Sequence, residues 1–382
     1  MADKAAQASW SQVGAWRFAR HGLAARAPAG SLLEVARTLC GLHAQVMSSA
    51  ELTAWARVEG LALGEVAHAL WEERTLVKTW AMRGTLHLLA ADDLALWHGG
   101  LAGMNHFLTP GWARGFGLQA GQIEEVIAAV GVVLDARMLT REELADAVGA
   151  EVGDPALAAT LRHSFGSTLK PAAYRAKLCF GPSDGQKVRF VRPDQWVAGG
   201  EAALPPVDAA MEEIVLRCLA AHGPLTRDEL ARWWGAKPPE LGRVLARLGD
   251  GVTTVDVEGE PRWARAADVP ALAGFGVGAG VVRLLPAFDQ YVVAATRHSD
   301  ALTPGATSRA DAIYRPQGWL TPVVCVDGMF MGVWRHERKG ARVAVEVEPF
   351  SARVPKAMRA GVEDEARRLA DVLDAQLDLR WI

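Results

Sequence analysis

LTREELADAVG (Leu139–Gly149) returns later in the chain as LTRDELARWWG (Leu225–Gly235). Each copy opens with a threonine in N-cap position, followed three residues on by an acid, Glu143 or Glu229. That spacing is a capping box: hydroxyl and carboxylate each accept from a backbone N–H that the first helical turn leaves without a partner. Each copy closes on a glycine able to take the left-handed C-cap conformation, so helices are expected to stop at Gly149 and Gly235.

Working outward, the surroundings of the two copies match. An amphipathic stretch precedes each, Gln122–Leu134 and Met211–His222, and a further helical stretch follows each, Asp154–Lys170 and Pro238–Leu248. Each then ends in a two-strand pattern. Lys177–Phe180, a GPSDG turn and Lys187–Arg192 make one hairpin; Val252–Val257, a Glu-Gly-Glu turn and Arg262–Arg265 make the other. Three helices and a β-hairpin is the winged-helix order. A third unit is expected near the amino terminus, from the amphipathic segments Leu32–Leu42, Glu51–Val58 and Gly64–Glu73 and the β-tolerant run Thr75–Leu89 around Gly84.

The carboxyl-terminal part has a different rhythm. Val281–Leu285, Pro322–Val326, an Asp327-Gly328 hairpin turn, Met329–Arg335 and Arg342–Val347 suggest a β-meander, and Glu363–Leu377 a closing helix. The expected class is α+β: three tandem winged-helix units over residues 1–115, 120–200 and 205–272, then a β-rich C-terminal domain over 280–382.

Composition narrows the function. With 50% hydrophobic and 22% charged residues the chain reads as an ordinary globular protein, and 14 Trp against 3 Tyr means that tryptophan supplies much of the aromatic packing. No stretch resembles a signal peptide or a membrane span. The four cysteines lie far apart with no His at ligand spacing, which speaks against a zinc site or a disulfide framework and for a reducing, cytoplasmic location. Net charge is only -3, but it conceals a basic block beside an acidic one. Residues 156–195 hold seven Lys/Arg against two Asp, and residues 196–260 hold six against eleven Asp/Glu. Such local fields steer a polyanion where the total does not.

Four phrases carry a family resemblance. GLHAQV (Gly41–Val46), RTLVKTWAMRGTLHLLAADDL (Arg74–Leu94), LLPAFDQYV (Leu284–Val292) and VDGMFMGVWRHERKG (Val326–Gly340) resemble the AlkZ-like winged-helix DNA glycosylases, in the same order. The resemblance spans nearly the whole chain. It implies three winged helices, a β-rich C-terminal domain and a concave surface for double-stranded DNA. It also implies cleavage of the N-glycosidic bond of N7-alkylated purines, including bulky adducts and crosslinks left by genotoxic natural products. The family motif is Gln, an aliphatic residue, then Gln, with Asp last in some members. His43, Ala44 and Gln45 match it, departing at the first position. His-first variants are associated with antibiotic self-resistance.

An N7-alkylated purine is cationic and already a good leaving group, so the remaining work is to stabilise the developing sugar cation and to place a water. His43 offers a base that titrates near neutrality, and Gln45 an amide able to hold the water or a sugar oxygen; neither needs a metal or a cofactor. On one α-helix, residues two apart diverge by about 200°, and a helix continuing to Ser48 would leave the two as surface residues. If Gly41 caps the helix instead, an extended Leu42–Met47 aims His43 and Gln45 the same way. For DNA contacts, the second hairpin offers Lys187, Arg189 and Arg192, and the Arg335–Gly340 turn offers Arg335, Arg338 and Lys339; the bland reading of each is a solvated, charged strand edge. A non-catalytic winged-helix binder (a transcriptional regulator or damage binder) is the competing class. No membrane and no obligate protein partner is indicated, and a DNA-repair role adds a nucleoid association.

Overall fold

In both repeats the Leu-Thr pair ties helix to wing. The computed structural model describes residues 6–119, 121–163, 166–278, 280–305, 308–315 and 318–382. Leu139–Thr140 pairs antiparallel with the strand Lys187–Val191, Leu139 opposite Phe190 and Thr140 opposite Arg189. Leu225 makes the equivalent bridge to Trp263 through reciprocal bonds of 2.9 and 2.7 Å. Both capping boxes form. The Thr140 N–H donates to Glu143 at 2.8 Å and the Glu143 N–H to the Thr140 hydroxyl at 3.3 Å; the Thr226–Glu229 pair gives 2.8 and 3.2 Å. Such a cap contributes about 1 kcal/mol to a helix.

The helix ends differ from expectation in one copy. The second helix, Arg227–Trp234, stops at Gly235 with φ +95°, as expected. The first runs through Gly149 to Val152 and is capped by Gly153 at φ +77°. Gly149 serves packing instead: a Cβ there would lie 2.9 Å from that of Ala158 on the following helix.

The winged order occurs three times. Leu32–Thr38, Met47–Trp55 and Gly64–Trp71 precede a hairpin of Leu76–Trp80 and Leu86–Ala90. Gln122–Val133, Arg141–Val152 and Pro155–His163 precede Cys179–Asp184 and Lys187–Val191. Val207–His222, Arg227–Trp234 and Pro238–Leu248 precede Val252–Val257 and Glu260–Arg265. In the second wing the first four residues of the GPSDG segment are strand, with a register shift between Gly181 and Asp184, so the reversal falls at Gly185–Gln186. In the third, Glu258 and Gly259 both take positive φ, the two-residue turn that suits the twist of a hairpin. By packing, the chain forms two compact units: Met1–Glu65 with Val215–Trp233 and Lys237–Ile382, and Val66–Ile214 with Trp234–Ala236.

In the first unit, a helix that the repeat gave no reason to expect, Trp10–Arg20, begins at a Ser9–Gln12 capping box. Gln7–Ala8 before it adds a parallel strand to the third wing, and Val13 and Trp16 pack with Val255, Val257 and Ala264. The carboxyl-terminal sheet runs Val282–Leu285, Val323–Val326, Met329–Lys339, Arg342–Pro349, Gln376–Trp381, with the last pair parallel. The closing helix is Lys356–Val372, earlier than expected at both ends. It stops because Asp374 turns left-handed and the Ala375 N–H donates back to the Ala370 carbonyl. QLDLRW then alternates as a strand, so a strand and not a helix closes the chain. Gly361 lets the helix approach the sheet, since a Cβ there would meet Val282 at 2.4 Å.

Candidate active site

The segment Gly41–Val46 is not helical. The helix Leu32–Thr38 ends in a Schellman turn: the Cys40 N–H donates to the Arg37 carbonyl at 3.0 Å and the Gly41 N–H to Ala36 at 2.7 Å. The left-handed position expected of Gly41 begins one residue earlier, at Cys40 (φ +60°), and Gly41 (φ +95°) continues it. Leu42–His43 is a short strand, the chain bends at Gln45–Val46, and the next helix starts at Met47. The regular strand therefore ends at His43; Val46 is extended again, and its carbonyl is the N-cap acceptor for Ser49 and Ala50 at 3.1 and 3.3 Å. Both candidate residues lie on this irregular segment, His43 buried and Gln45 exposed.

The phrase Leu284–Val292 packs directly on it. The Phe288 ring lies flat on His43, centroids 5.1 Å apart and planes 13° from parallel. Gln290 Nε2 donates to the Gly41 carbonyl at 2.6 Å. Between them, Asp289 accepts two 2.7 Å bonds from the Arg57 guanidinium, and both side chains are fully buried. Phe288 itself is left-handed at φ +58°, a backbone that costs a non-glycine residue about 1–3 kcal/mol and persists only where its neighbours over-determine it. The fork to Arg57 and the Asp289 cap on the Tyr291 N–H, 2.9 Å, are those neighbours.

An open cavity of about 460 Å³ adjoins this arrangement. Its lining starts at Val46, next to Gln45, and at Pro286–Ala287, next to Phe288, and continues over Trp319 and Trp334. The half-exposed Trp319 meets Phe288 edge-on at 5.0 Å, so a chain of rings runs from His43 to the cavity wall. Arg335 and His336 of the long hairpin line its far side.

Comparison with known proteins gives the family. The family model described as "DNA glycosylase AlkZ-like" matches residues 36–372. The chain belongs to the AlkZ-like DNA glycosylase family. An interstrand DNA cross-link repair glycosylase of Streptomyces sahachiroi is 35% identical over 369 residues, which is 95% of this chain and 96% of the relative. The solved structure of the Streptomyces sahachiroi DNA glycosylase AlkZ superposes with a TM-score of 0.88 at 33% identity, covering 98% of this chain and all of that one. This AlkZ-like protein is thus an enzyme that hydrolyses N-glycosidic bonds in DNA.

In this AlkZ-like glycosylase the candidate DNA contacts differ in exposure. Lys187 on the second wing is exposed, whereas Arg189 donates across the wing to the Pro182 carbonyl at 2.7 Å. Arg192 is held by Asp135 at 2.8 Å and by Asp194. Residues 335–339 are strand and not a turn, which lies at Gly340–Ala341; the alternation therefore continues and separates their side chains between two faces. Arg335 pairs with Glu346 across the strands yet is 73% exposed, and Lys339, 78% exposed, lies 3.0 Å from Glu337. Among the described residues no helix is long and apolar enough to cross a membrane, and all four cysteines are buried thiols.

One cluster has no counterpart in the sequence-derived expectations. His298 donates from Nδ1 to Glu229 at 2.6 Å and accepts at Nε2 from Arg17, with its ring stacked on Trp10 at 4.8 Å. Arg262 also reaches Glu229 at 2.6 Å. Burial would raise the Glu229 carboxyl, but the His298 bond and the His298 and Arg262 charges overcome it and hold the pKa down to about 2. Burial, with Arg17 nearby, lowers His298 to about 4. The Ser9-x-x-Gln12 box was the available signal for the helix that brings Arg17 here.

Proposed function

We propose that this glycosylase excises purines alkylated at N7, bulky adducts included, by attack of water on the anomeric carbon. Alkylation places positive charge on the purine, so when the C1′–N9 bond breaks its electron pair neutralises the leaving base and little acid help is needed. The sugar is left cation-like. Gln45 holds the incoming water or a sugar oxygen, and His43 takes the proton as the new C–O bond forms, later passing it to solvent. Water as nucleophile leaves no covalent enzyme–DNA species, so the enzyme is monofunctional.

The observation that carries the proposal is the placing of His43 on the short strand after the Cys40–Gly41 turn and of Gln45 on the bend that follows, next to Val46 in the wall of a cavity of about 460 Å³. A space of that size falls within the ~300–1,000 Å³ of small-molecule sites, and its tryptophan and proline lining suits a bulky planar adduct. That the Streptomyces sahachiroi relative is named for repair of interstrand cross-links supports adducts larger than a methyl group; a His-first motif fits self-resistance against a genotoxin. Lys187, Arg189 and Arg192 on the second wing, and Arg335, Arg338 and Lys339 on the long hairpin, are the cations that would take phosphates of the DNA. The test is single-turnover excision from duplexes carrying N7-methylguanine or a bulky N7 adduct, with abasic sites as the readout. Release of both bases supports the proposal; failure on both while another damaged base is released rejects it.

A further inference from the structure

A second cavity, of about 370 Å³, lies wholly within the other compact unit, Val66–Ile214 with Trp234–Ala236. Its floor is the turn of the first wing. Arg83 there is left-handed at φ +59°, and glycines stand on both sides of it. A Cβ on Gly235 would come within 3.0 Å of the Arg83 backbone, and one on Gly84 within 3.0 Å of the Tyr174 hydroxyl and 3.4 Å of the Lys170 ammonium. The turn is thus pressed against its neighbours, and the cavity is preformed.

The lining has two chemical parts. Arg83, Lys170 and His106 supply cationic or protonatable groups, and among the described residues no carboxylate lines the cavity. Burial lowers the Lys170 pKa, and burial followed by the Lys170 charge lowers that of His106. Opposite them, Trp112 and Phe116 form a half-buried pair of rings with centroids 4.5 Å apart. Positive charge facing an aromatic platform is how proteins hold an unpaired nucleotide: the charge takes the phosphate and the rings stack the base.

We propose that this cavity takes one unstacked nucleotide of a DNA strand, its phosphate on Lys170 and Arg83 and its base against Trp112 and Phe116. The proposal rests on DNA as the substrate, and it does not require His43 or Gln45 to be catalytic. A free nucleotide has the same chemistry, so the test separates the two sources. Fluorescence anisotropy would compare an undamaged blunt duplex with the same duplex carrying a four-thymidine 5′ overhang, and calorimetry would titrate dTMP. The native enzyme is expected to favour the overhang by about tenfold, within what one stacked base contributes. Lys170→Met, which keeps the side chain's length, and Trp112→Ala should each abolish that preference. Gln45→Ala should retain it, which separates this site from the excision chemistry. Should Trp112→Ala unfold, Lys170→Met decides alone. No preference in the native enzyme, or a preference that survives Lys170→Met, overturns the proposal; so does dTMP binding lost in Lys170→Met when the overhang has no effect.

Discussion

His43 and His298 belong to the same compact unit, are 5% and 6% exposed, and each lies flat on an aromatic ring, Phe288 or Trp10. Their surroundings separate them. His298 spends one nitrogen on Glu229 and the other on Arg17 inside a sealed ionic cluster, so neither is left for a substrate. His43 sits on an irregular segment whose next-but-one residue, Gln45, is exposed, and its ring partner leads through Trp319 to an open cavity. Burial and stacking are common to both histidines, so they do not mark the one proposed to do chemistry; the neighbouring cavity and the exposed Gln45 are what set His43 apart.

The largest effect that would break this contrast concerns the sealed cluster. Glu229→Ala leaves Arg262 with Glu260 as its remaining carboxylate and removes the His298 acceptor in a buried site, and should cost about 3 kcal/mol in urea unfolding. Excision by the fraction still folded in the cold should stay near the native rate. A slower rate at unchanged stability would make the cluster part of the catalytic machinery. Acid should act through the same place. The His298 pKa falls from 6.5 to about 4 on folding. Between those values the unfolded chain binds the extra proton. The stability this group contributes is therefore complete above pH 6.5 and is lost as pH falls towards 4, on the order of a few kcal/mol. His298→Asn should flatten unfolding free energy against pH over that window; an unaltered slope would place the titration elsewhere.

Access also ranks the cations proposed to meet DNA. Lys187→Gln should reduce the slope of log affinity against log salt by about 0.9, the value of one phosphate contact on duplex DNA. Arg192→Gln should change it less, because Asp135 and Asp194 already hold that guanidinium. The reverse ranking would mean that DNA displaces those carboxylates. The smallest effect is none: excision should continue in EDTA and in borohydride, with no trapped protein–DNA adduct. A trapped adduct would reveal an amine nucleophile in place of water.

The parts legible in the sequence were those written locally. Thr140–Glu143 and Thr226–Glu229 announced helix starts, Asp327-Gly328 a hairpin, and their order three winged units before a sheet. Helix ends were harder, because a glycine has more than one use: Gly149 packs against Ala158 while Gly153 caps, and the left-handed turn before His43 begins at Cys40, one residue ahead of Gly41. The strand Gln376–Trp381 was hidden behind a helix expected to run on to Leu377, into its first two residues. At the candidate site, His43 and Gln45 could be named from a family motif. No spacing, however, says that Phe288 covers His43 or that Glu229 serves both as a cap and as the partner of His298 and Arg262. Those facts join residues far apart in the chain, and only packing reveals them.

The most direct test of the role given to His43 and Gln45 is the single-turnover rate on N7-methylguanine duplex for native enzyme, Gln45→Ala, His43→Ala and His43→Gln, each checked for folding. Gln45→Ala should lose about 10²-fold or more, the scale of a lost transition-state donor. His43→Ala should lose at least about tenfold. His43→Gln should be faster than His43→Ala, since an amide still positions water. It should also lose the native enzyme's decline in rate at acid pH, since it has no imidazole to protonate. If both alanine variants are folded and excise at the native rate, catalysis lies elsewhere in the molecule.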